Sequence, residues 1–337
     1  MIARAAAPVV RGLRTQRGGS LVELMLGLML GLSVVGVALG AFSSVSRTAN
    51  SQNSAAIIAE TAQAAGGYLG KQLLQAGYVD LMANTDNSSH LFQLDTFGAA
   101  QTQGSGNMLA AVHALSHPGL RSIHGCNSGY VKADDLLDYR CEAAATPLGG
   151  SLSIAYQALA SPNGWQAPSL PTAFELTRGY RSDCGARSPR AVDNALADPP
   201  GDVVMNRYYL DTGTLQLMCV GNGNPHAPIR IAGNVEQFQV LYALPQPNPG
   251  GAESIAQYVT ADAVDALGPA AWGTVLTVRV CLLIRGEPGS SDGGTTVNVF
   301  SRDCAGNPTS VSDGRMRRAH QFVMTVRNAV RSAVALP

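Results

Sequence analysis

The sequence predicts an α+β protein: a long N-terminal α-helix, half membrane-spanning and half amphipathic, packed on an antiparallel β-sheet head. Three observations lead there. A 22-residue apolar run occupies Leu21–Phe42, an apolar stripe at helical spacing follows it, and short period-2 segments fill much of the remainder. The 337 residues carry 23 Lys+Arg against 23 Asp+Glu, and only 14% are charged. That balance argues against a disordered tail and against a protein that holds nucleic acid by charge alone. With 46% hydrophobic residues the chain has enough apolar material for a sizeable core.

Residues 1–18 contain Arg4, Arg11, Arg14 and Arg17 and no acidic residue. The run LVELMLGLMLGLSVVGVALGAF then carries one charge, Glu23. At about 1.5 Å per residue it reaches roughly the 30 Å of a bilayer's hydrocarbon core. The basic flank puts the N-terminus in the cytoplasm and everything after Phe42 on the far side. A cleaved secretory signal has a shorter apolar core, although Ala38-Leu39-Gly40 has the small residues of a cleavage site. A plain uncleaved anchor has no use for Glu23, and a carboxylate at the edge of a bilayer core costs a few kcal/mol.

The segment Arg17-Gly18-Gly19-Ser20-Leu21-Val22-Glu23-Leu24 resembles the class III signal of type IV prepilins and type II secretion pseudopilins. The resemblance implies that a prepilin peptidase cuts after Gly18 and methylates the new N-terminus at Gly19. Glu23 then stands fifth in the mature chain, although Gly19 departs from the large apolar residue usual at the first position. It further implies that Glu23 of one subunit meets the cationic terminal amine of a neighbour, setting assembly register. An ion pair in low dielectric offsets its desolvation only when both partners are present, so an unpaired Glu23 penalises a lone subunit. Gly27, Gly31, Gly36 and Gly40 form two small-xxx-small pairs that permit close helix approach. Glycines are also simply frequent in membrane helices.

Beyond the span the pattern turns amphipathic. Ile58, Ala62, Ala65, Leu69, Leu73 and Ala76 recur at spacings of 4, 3, 4, 4 and 3, a single stripe on one helix face. Gly77 is a natural left-handed stop, and Gly66-Gly67 marks a candidate bend. The organisation expected is a leader over 1–18, a helix over 19–82 that spans the membrane at about 21–42, and a β-rich head over 83–337.

In the head, strand signals fall at Leu152–Ala158, Val203–Leu210, Thr214–Val220, Val235–Ala243, Thr274–Ile284, Thr295–Ser301 and Phe322–Val326. Asp211-Thr212-Gly213 in YYLDTGTLQLMC marks a hairpin. Residues 83–150 hold few strand signals and read as a variable insertion over the sheet. The six cysteines, Cys126, Cys141, Cys184, Cys219, Cys281 and Cys304, all follow the span and read as three disulfides in an oxidising compartment. Many connectivities are open to six cysteines. Sequential pairing closes the shortest loops and is the one expected, and the lack of any CxxC spacing argues against zinc.

Candidate chemistry is sparse. Gly289-Ser290-Ser291-Asp292-Gly293 matches G-x-S-x-G, but Pro288 precedes it and the strand-like TTVNVF follows, where a nucleophile elbow needs a helix. His113, His117, His124 and Cys126 suggest a metal, with His113 and His117 one helical turn apart, but the stretch is rich in loop residues and Cys126 is better spent in a disulfide. Asp134, Asp135 and Asp138 suggest calcium but lack EF-hand spacing, so a solvated acidic turn is preferred. Arg315, Arg317, Arg318, Arg327 and Arg331 would make a phosphate patch, yet only Phe322 could stack a base, so an exposed strand face is preferred. No cofactor, no metal and no catalytic residue are assigned.

The later segments VVMNRYYLDTGTLQLMC, IAGNVEQFQVLYAL, TVLTVRVCLLIR and FVMTVRNAV resemble the PilW family of minor type IV pilins. The resemblance implies a pilin-like fold and a non-enzymatic minor pilin acting in pilus initiation, in or at the tip of the fibre, in motility, adhesion or DNA uptake. The implied location is the inner membrane, single-pass with the head in the periplasm, and then the fibre at the cell surface. The implied partners are other minor pilins and the major pilin, the prepilin peptidase, the inner-membrane assembly platform and a tip adhesin. Nucleic acid is not favoured. The alternatives are a type II secretion pseudopilin of the J type and a membrane-anchored periplasmic binding protein. Mass spectrometry of the N-terminal peptide from cell envelopes is expected to find a chain beginning at Gly19 with a methylated amine, and a start at Met1 or Ala41 would contradict the prepilin resemblance.

Overall fold

The computed structural model describes residues 20–77, 121–143, 149–157, 182–187, 203–223, 225–246, 254–291 and 298–328. Two compact units divide the chain at Asn50. In the first, helix α1 (Leu21–Leu73) opens at Ser20, whose carbonyl accepts from the Glu23 and Leu24 amides at 2.9 and 3.2 Å. Through Phe42 its apolar side chains are exposed on every side, Leu21 at 77% and Phe42 at 74%. A helix apolar all round is at home in lipid, and this one is long and apolar enough to cross a membrane. Its hydroxyls are satisfied within the helix: Ser33 donates to the Leu30 carbonyl and Ser43 to the Gly40 carbonyl.

In the second unit, the remainder of α1 buries one face. Ile58, Ala62, Ala65, Leu69, Leu73 and Ala76 are all within 1% of full burial, the stripe that the spacing predicts. The helix gives way to a turn after Leu73, and Gly77 takes φ +73°. Helix α1 is not interrupted at Gly66-Gly67 but runs through both. Gly66 instead seats the Phe322 ring, which would lie 2.7 Å from a Cβ there, whereas a Cβ at Gly67 would meet nothing within 4 Å.

The strands are β1 (Ile123–Cys126), β2 (Ser151–Gln157), β3 (Val203–Asp211), β4 (Gln216–Gly221), β5 (Ile229–Gly233), β6 (Val235–Gln246), β7 (Ser254–Val259), β8 (Thr277–Arg285), β9 (Asn298–Arg302), β10 (Pro308–Ser312) and β11 (Arg317–Thr325). A short helix α2 (Ala261–Asp265) and a 3-10 turn (Pro269–Thr274) lie between β7 and β8. All pairings between strands are antiparallel: one sheet of order β1-β2-β3-β4-β5, one of order β11-β8-β6-β7, and a β9–β10 ribbon. The inner faces of the two larger sheets share one apolar cluster with the α1 stripe, including Leu152, Ile154, Tyr208, Phe238, Val280, Leu282 and Met324. The main core therefore lies under α1, with a small second cluster at Cys281, Leu283 and Cys304.

Register follows the predicted alternation. In β2 and β3, Leu152 faces Tyr208 and Ile154 faces Asn206 on the core side, leaving Ser153 and Arg207 to the other face. The β3–β4 hairpin closes over residues 212–215. The Asp211 carboxylate accepts from the Gly213 amide at 2.9 Å and the Thr214 hydroxyl at 2.6 Å, while Leu215 takes φ +54°.

The reading of 83–150 as an insertion over the sheet is corrected at Ile123–Cys126, which form β1 at that sheet's edge against β2, while residues 83–120 lie outside the described residues. The four residues of β1 are buried on both faces, so the strand shows no alternation to read. The strand near the C-terminus begins at Arg317, earlier than the apolar pattern indicates, because Arg317 is buried by ion pairs with Glu236 (2.7 Å) and Asp313 (2.5 Å). That pairing, led by the hydrogen bond from Arg317, holds the Asp313 pKa down at about 2.

The cysteines pair Cys126–Cys141, Cys184–Cys219 and Cys281–Cys304, with Cα separations of 5.5, 6.3 and 5.7 Å. The first ties the end of β1 to the loop that follows it. The third secures the β9–β10 ribbon to β8. That attachment matters because a lone two-stranded ribbon is marginal in water.

Two glycines give opposite expectations. A Cβ at Gly125 would lie 1.7 Å from the Tyr242 hydroxyl and 2.8 Å from the Ser151 carbonyl. Gly125→Ala should cost at least about 1–3 kcal/mol in urea unfolding, whereas Gly67→Ala should gain about 0.5–1 kcal/mol by removing a helix glycine.

Candidate functional site

Two regions carry the chemistry. The first is the start of α1. Glu23 stands exposed in the first helical turn, two residues into the apolar run. The adjoining Gly18 and Gly19 lie outside the described residues.

The second region is the outer face of the five-stranded sheet, opposite α1. There Arg207 of β3 projects beside Ser153 of β2 and is fully buried. Its guanidinium is gripped by a loop that closes on itself between the Cys126–Cys141 bridge and the Tyr130–Cys141 backbone pairing. Nη1 donates to the carbonyls of Lys132 (2.7 Å) and Asp135 (2.8 Å), and Nη2 to those of Leu136 (3.0 Å) and Asp138 (3.1 Å). The Tyr130 ring closes one side, with its centroid 3.8 Å from the guanidinium carbon. Burial pulls the Arg207 pKa down, yet a guanidinium stays charged in a protein. The His226 ring nitrogens lie 2.8 Å from the carbonyls of Asp134 and Gly221, fixing the loop to the end of β4.

Next to this loop sits His124 of β1, buried among the rings of Trp272 (4.6 Å), Tyr139 (4.9 Å) and Tyr130 (5.7 Å). The Tyr130 hydroxyl lies 3.0 Å from Nδ1 and 3.1 Å from the His124 carbonyl, within hydrogen-bond reach of both. Nε2 faces the Asp265 carboxylate at 3.5 Å. Asp265 also accepts from Trp272 Nε1 (2.7 Å) and Arg121 (3.3 Å). Burial lowers the His124 pKa, Asp265 partly opposes that, and Arg121 and Arg207 add to it. A cleft of about 570 Å³ opens here, lined by Arg121, His124, Tyr139, Arg140, Asp262 and Asp265 among others. Four of the lining charges pair with one another: Arg140 with Asp138 at 2.6 Å, and Arg121 with Asp265.

The sequence candidates resolve as follows. Cys126 is in a disulfide and His124 is packed in aromatic rings, while His113 and His117 lie outside the described residues. Asp134, Asp135 and Asp138 do share the loop, but its carbonyls serve Arg207 and His226, and Asp138 is held by Arg140 well below the usual carboxylate range. Among the described residues no group of His, Cys, Asp and Glu could hold a metal ion. Within the G-x-S-x-G match, Ser291 donates to the Gly314 carbonyl and Ser290 accepts from the Met316 amide, so both hydroxyls close a turn. Of the arginines, Arg317 is buried in ion pairs, Arg315 donates to the Gly286 carbonyl, and Arg318 and Arg327 are exposed. Arg331 lies outside the described residues.

Arg207 is the residue that sequence reasoning missed. The signal was a single charge inside the strand pattern VVMNRYYL, which asks for a buried partner.

The described residues combine an apolar, exposed helix with antiparallel sheets, an α+β arrangement. Residues 207–328, from within β3 through the end of β11, match the family model described as Type IV Pilus-assembly protein W. No curated protein matches the chain. Among solved structures, a type IV-like pilin from Thermus thermophilus is similar at 12% identity and a TM-score of 0.33, over 81% of this chain and 98% of that one.

The His124 pocket makes stability depend on pH. An imidazole with its pKa lowered by folding binds its proton more readily unfolded, so stability is complete above about pH 6.5 and falls as pH drops below that value. The slope should approach 1.4 kcal/mol per pH unit for the one proton. His124→Gln should flatten this component of the pH–stability curve measured by urea unfolding.

Proposed function

We propose that the chain is a minor pilin of the type IV pilus, anchored through α1 in the inner membrane with its head in the periplasm. It takes part in starting fibre growth, in a complex with other minor pilins, and stays in or near the tip. The observation that carries this reading is the union in one chain of an apolar helix with Glu23 in its first turn and a head whose residues 207–328 match the PilW family model. The family match supports a pilus-related, structural role, and the helix supports membrane anchoring.

The mechanism is interaction rather than catalysis. A prepilin peptidase would free the amine of Gly19, and the Glu23 carboxylate of one subunit would meet that amine on its neighbour. In lipid the pair is favourable only when complete, which makes a single polar contact select register in an otherwise apolar bundle. The disulfides support a head exposed to an oxidising exterior, each adding a few kcal/mol.

Two experiments test the proposal. A deletion strain should lose twitching and keep exoprotein export, and the reverse phenotype would assign the chain to a secretion system. Glu23→Ala should leave N-terminal processing intact while lowering recovery with partner pilins at least about tenfold, the effect of one lost interaction of roughly 1.4 kcal/mol or more. Equal recovery of variant and wild type would remove the register role.

A further inference from the structure

We infer that the loop Lys132–Asp138 is a cage of backbone carbonyls built around a cation, and that the cation is the guanidinium of Arg207, so that this face of the head takes its shape without a metal ion. Four carbonyl oxygens, from Lys132, Asp135, Leu136 and Asp138, converge on the two terminal nitrogens at 2.7–3.1 Å. Convergent oxygens are how a protein loop replaces the hydration shell of a hard cation such as calcium. Here a side chain from the sheet beneath fills the centre, and planar Nη groups with fixed donors suit four acceptors.

The surrounding chemistry agrees. Among the described residues no carboxylate lies within ion-pair distance of Arg207, so its charge is met by carbonyl dipoles and by the Tyr130 ring. Two of the loop's three carboxylates point to other cations: Asp138 to Arg140 at 2.6 Å and Asp135 to Lys132 at 4.0 Å. A metal ion arriving at this loop would find these four carbonyls already occupied by Arg207. A cation joined covalently to β3 is also present at unit occupancy in any ionic medium, which suits a surface exposed outside the cell. The loop in turn lines the cleft beside His124, through Asp138 and Arg140. Arg207 is thus a positioning residue for that surface.

The test uses the full-length protein in detergent, with thermal unfolding and hydrogen exchange of the peptide covering residues 130–141. Wild type should unfold at the same temperature in chelator and in millimolar calcium. Arg207→Ala should speed exchange of that peptide by roughly ten- to a hundredfold, the range for losing hydrogen bonds to a charged donor, while β8 and β11 stay protected. Arg207→Lys, which keeps the charge but cannot span four carbonyls, should fall between the two and covers the case in which the alanine variant does not fold. Millimolar methylguanidinium should restore part of the protection in Arg207→Ala and change nothing in wild type. A rise in the wild-type midpoint on adding calcium would overturn the inference, as would a 130–141 peptide equally protected in all three proteins.

Discussion

One helix has to satisfy two solvents, and the rest of the structure follows from how it does so. Through Phe42 the side chains of α1 are apolar on every side, which only lipid or other apolar helices can accommodate. From Ser54 onward the same helix carries an apolar stripe on one face and polar residues elsewhere. Burying Ile58, Leu69 and Leu73 contributes about 1.5–3 kcal/mol each, and the core residues of both large sheets close on that stripe. Small residues on the stripe let the sheets come near: Gly66 admits the Phe322 ring against the helix backbone. Without the stripe the inner faces of the sheets would have no common partner.

Polar contacts add specificity between helix and sheet. Gln72 of α1 accepts from Asn206 (3.0 Å) and Tyr156 (3.2 Å), and the Asn206 carbonyl oxygen accepts from the Cys184 amide. Tyr68 donates to the Cys184 carbonyl. A buried network of this kind is satisfied in only one register of helix against strand, whereas apolar packing alone tolerates sliding. On the opposite face Arg207 does for the 130–141 loop what Gln72 does for the helix. It supplies donors to carbonyls that no regular ladder reaches, and the Cys126–Cys141 bridge keeps the loop ends together.

Much of this was legible in the sequence because period is a direct physical signal. The α1 stripe, the β3–β4 hairpin and the alternation of β2, β6 and β8 follow from which face of each element meets the core. No strand signal was read at β1, β5, β7 or β10, and two of these lack such a period. β1 is buried on both faces, β10 is exposed along nearly its whole length, and β11 begins with arginines that read as surface. Only the pairing of Arg317 with Glu236 and Asp313 turns that polar start into interior, and Glu236 is 81 residues away in the chain. His124 suggested a metal ligand, and its ring is instead packed by Tyr130 and Tyr139 of the 130–141 loop and by Trp272 of the 3-10 turn.

By itself the sequence determined the composition of the anchor, the place of Glu23 at its start, the helix face that packs and the class of the head. These depend on residues near one another in the chain, where 3.6- and 2-residue periods translate directly into faces. Only the tertiary structure decided what the isolated charges do. Whether Arg207 is an exposed cation or the centre of a loop depends on carbonyls 69 to 75 residues away, and no local pattern encodes that meeting. The carbonyls belong to the backbone, which every residue shares, so the cage has no composition of its own and is visible only once the chain has folded around it.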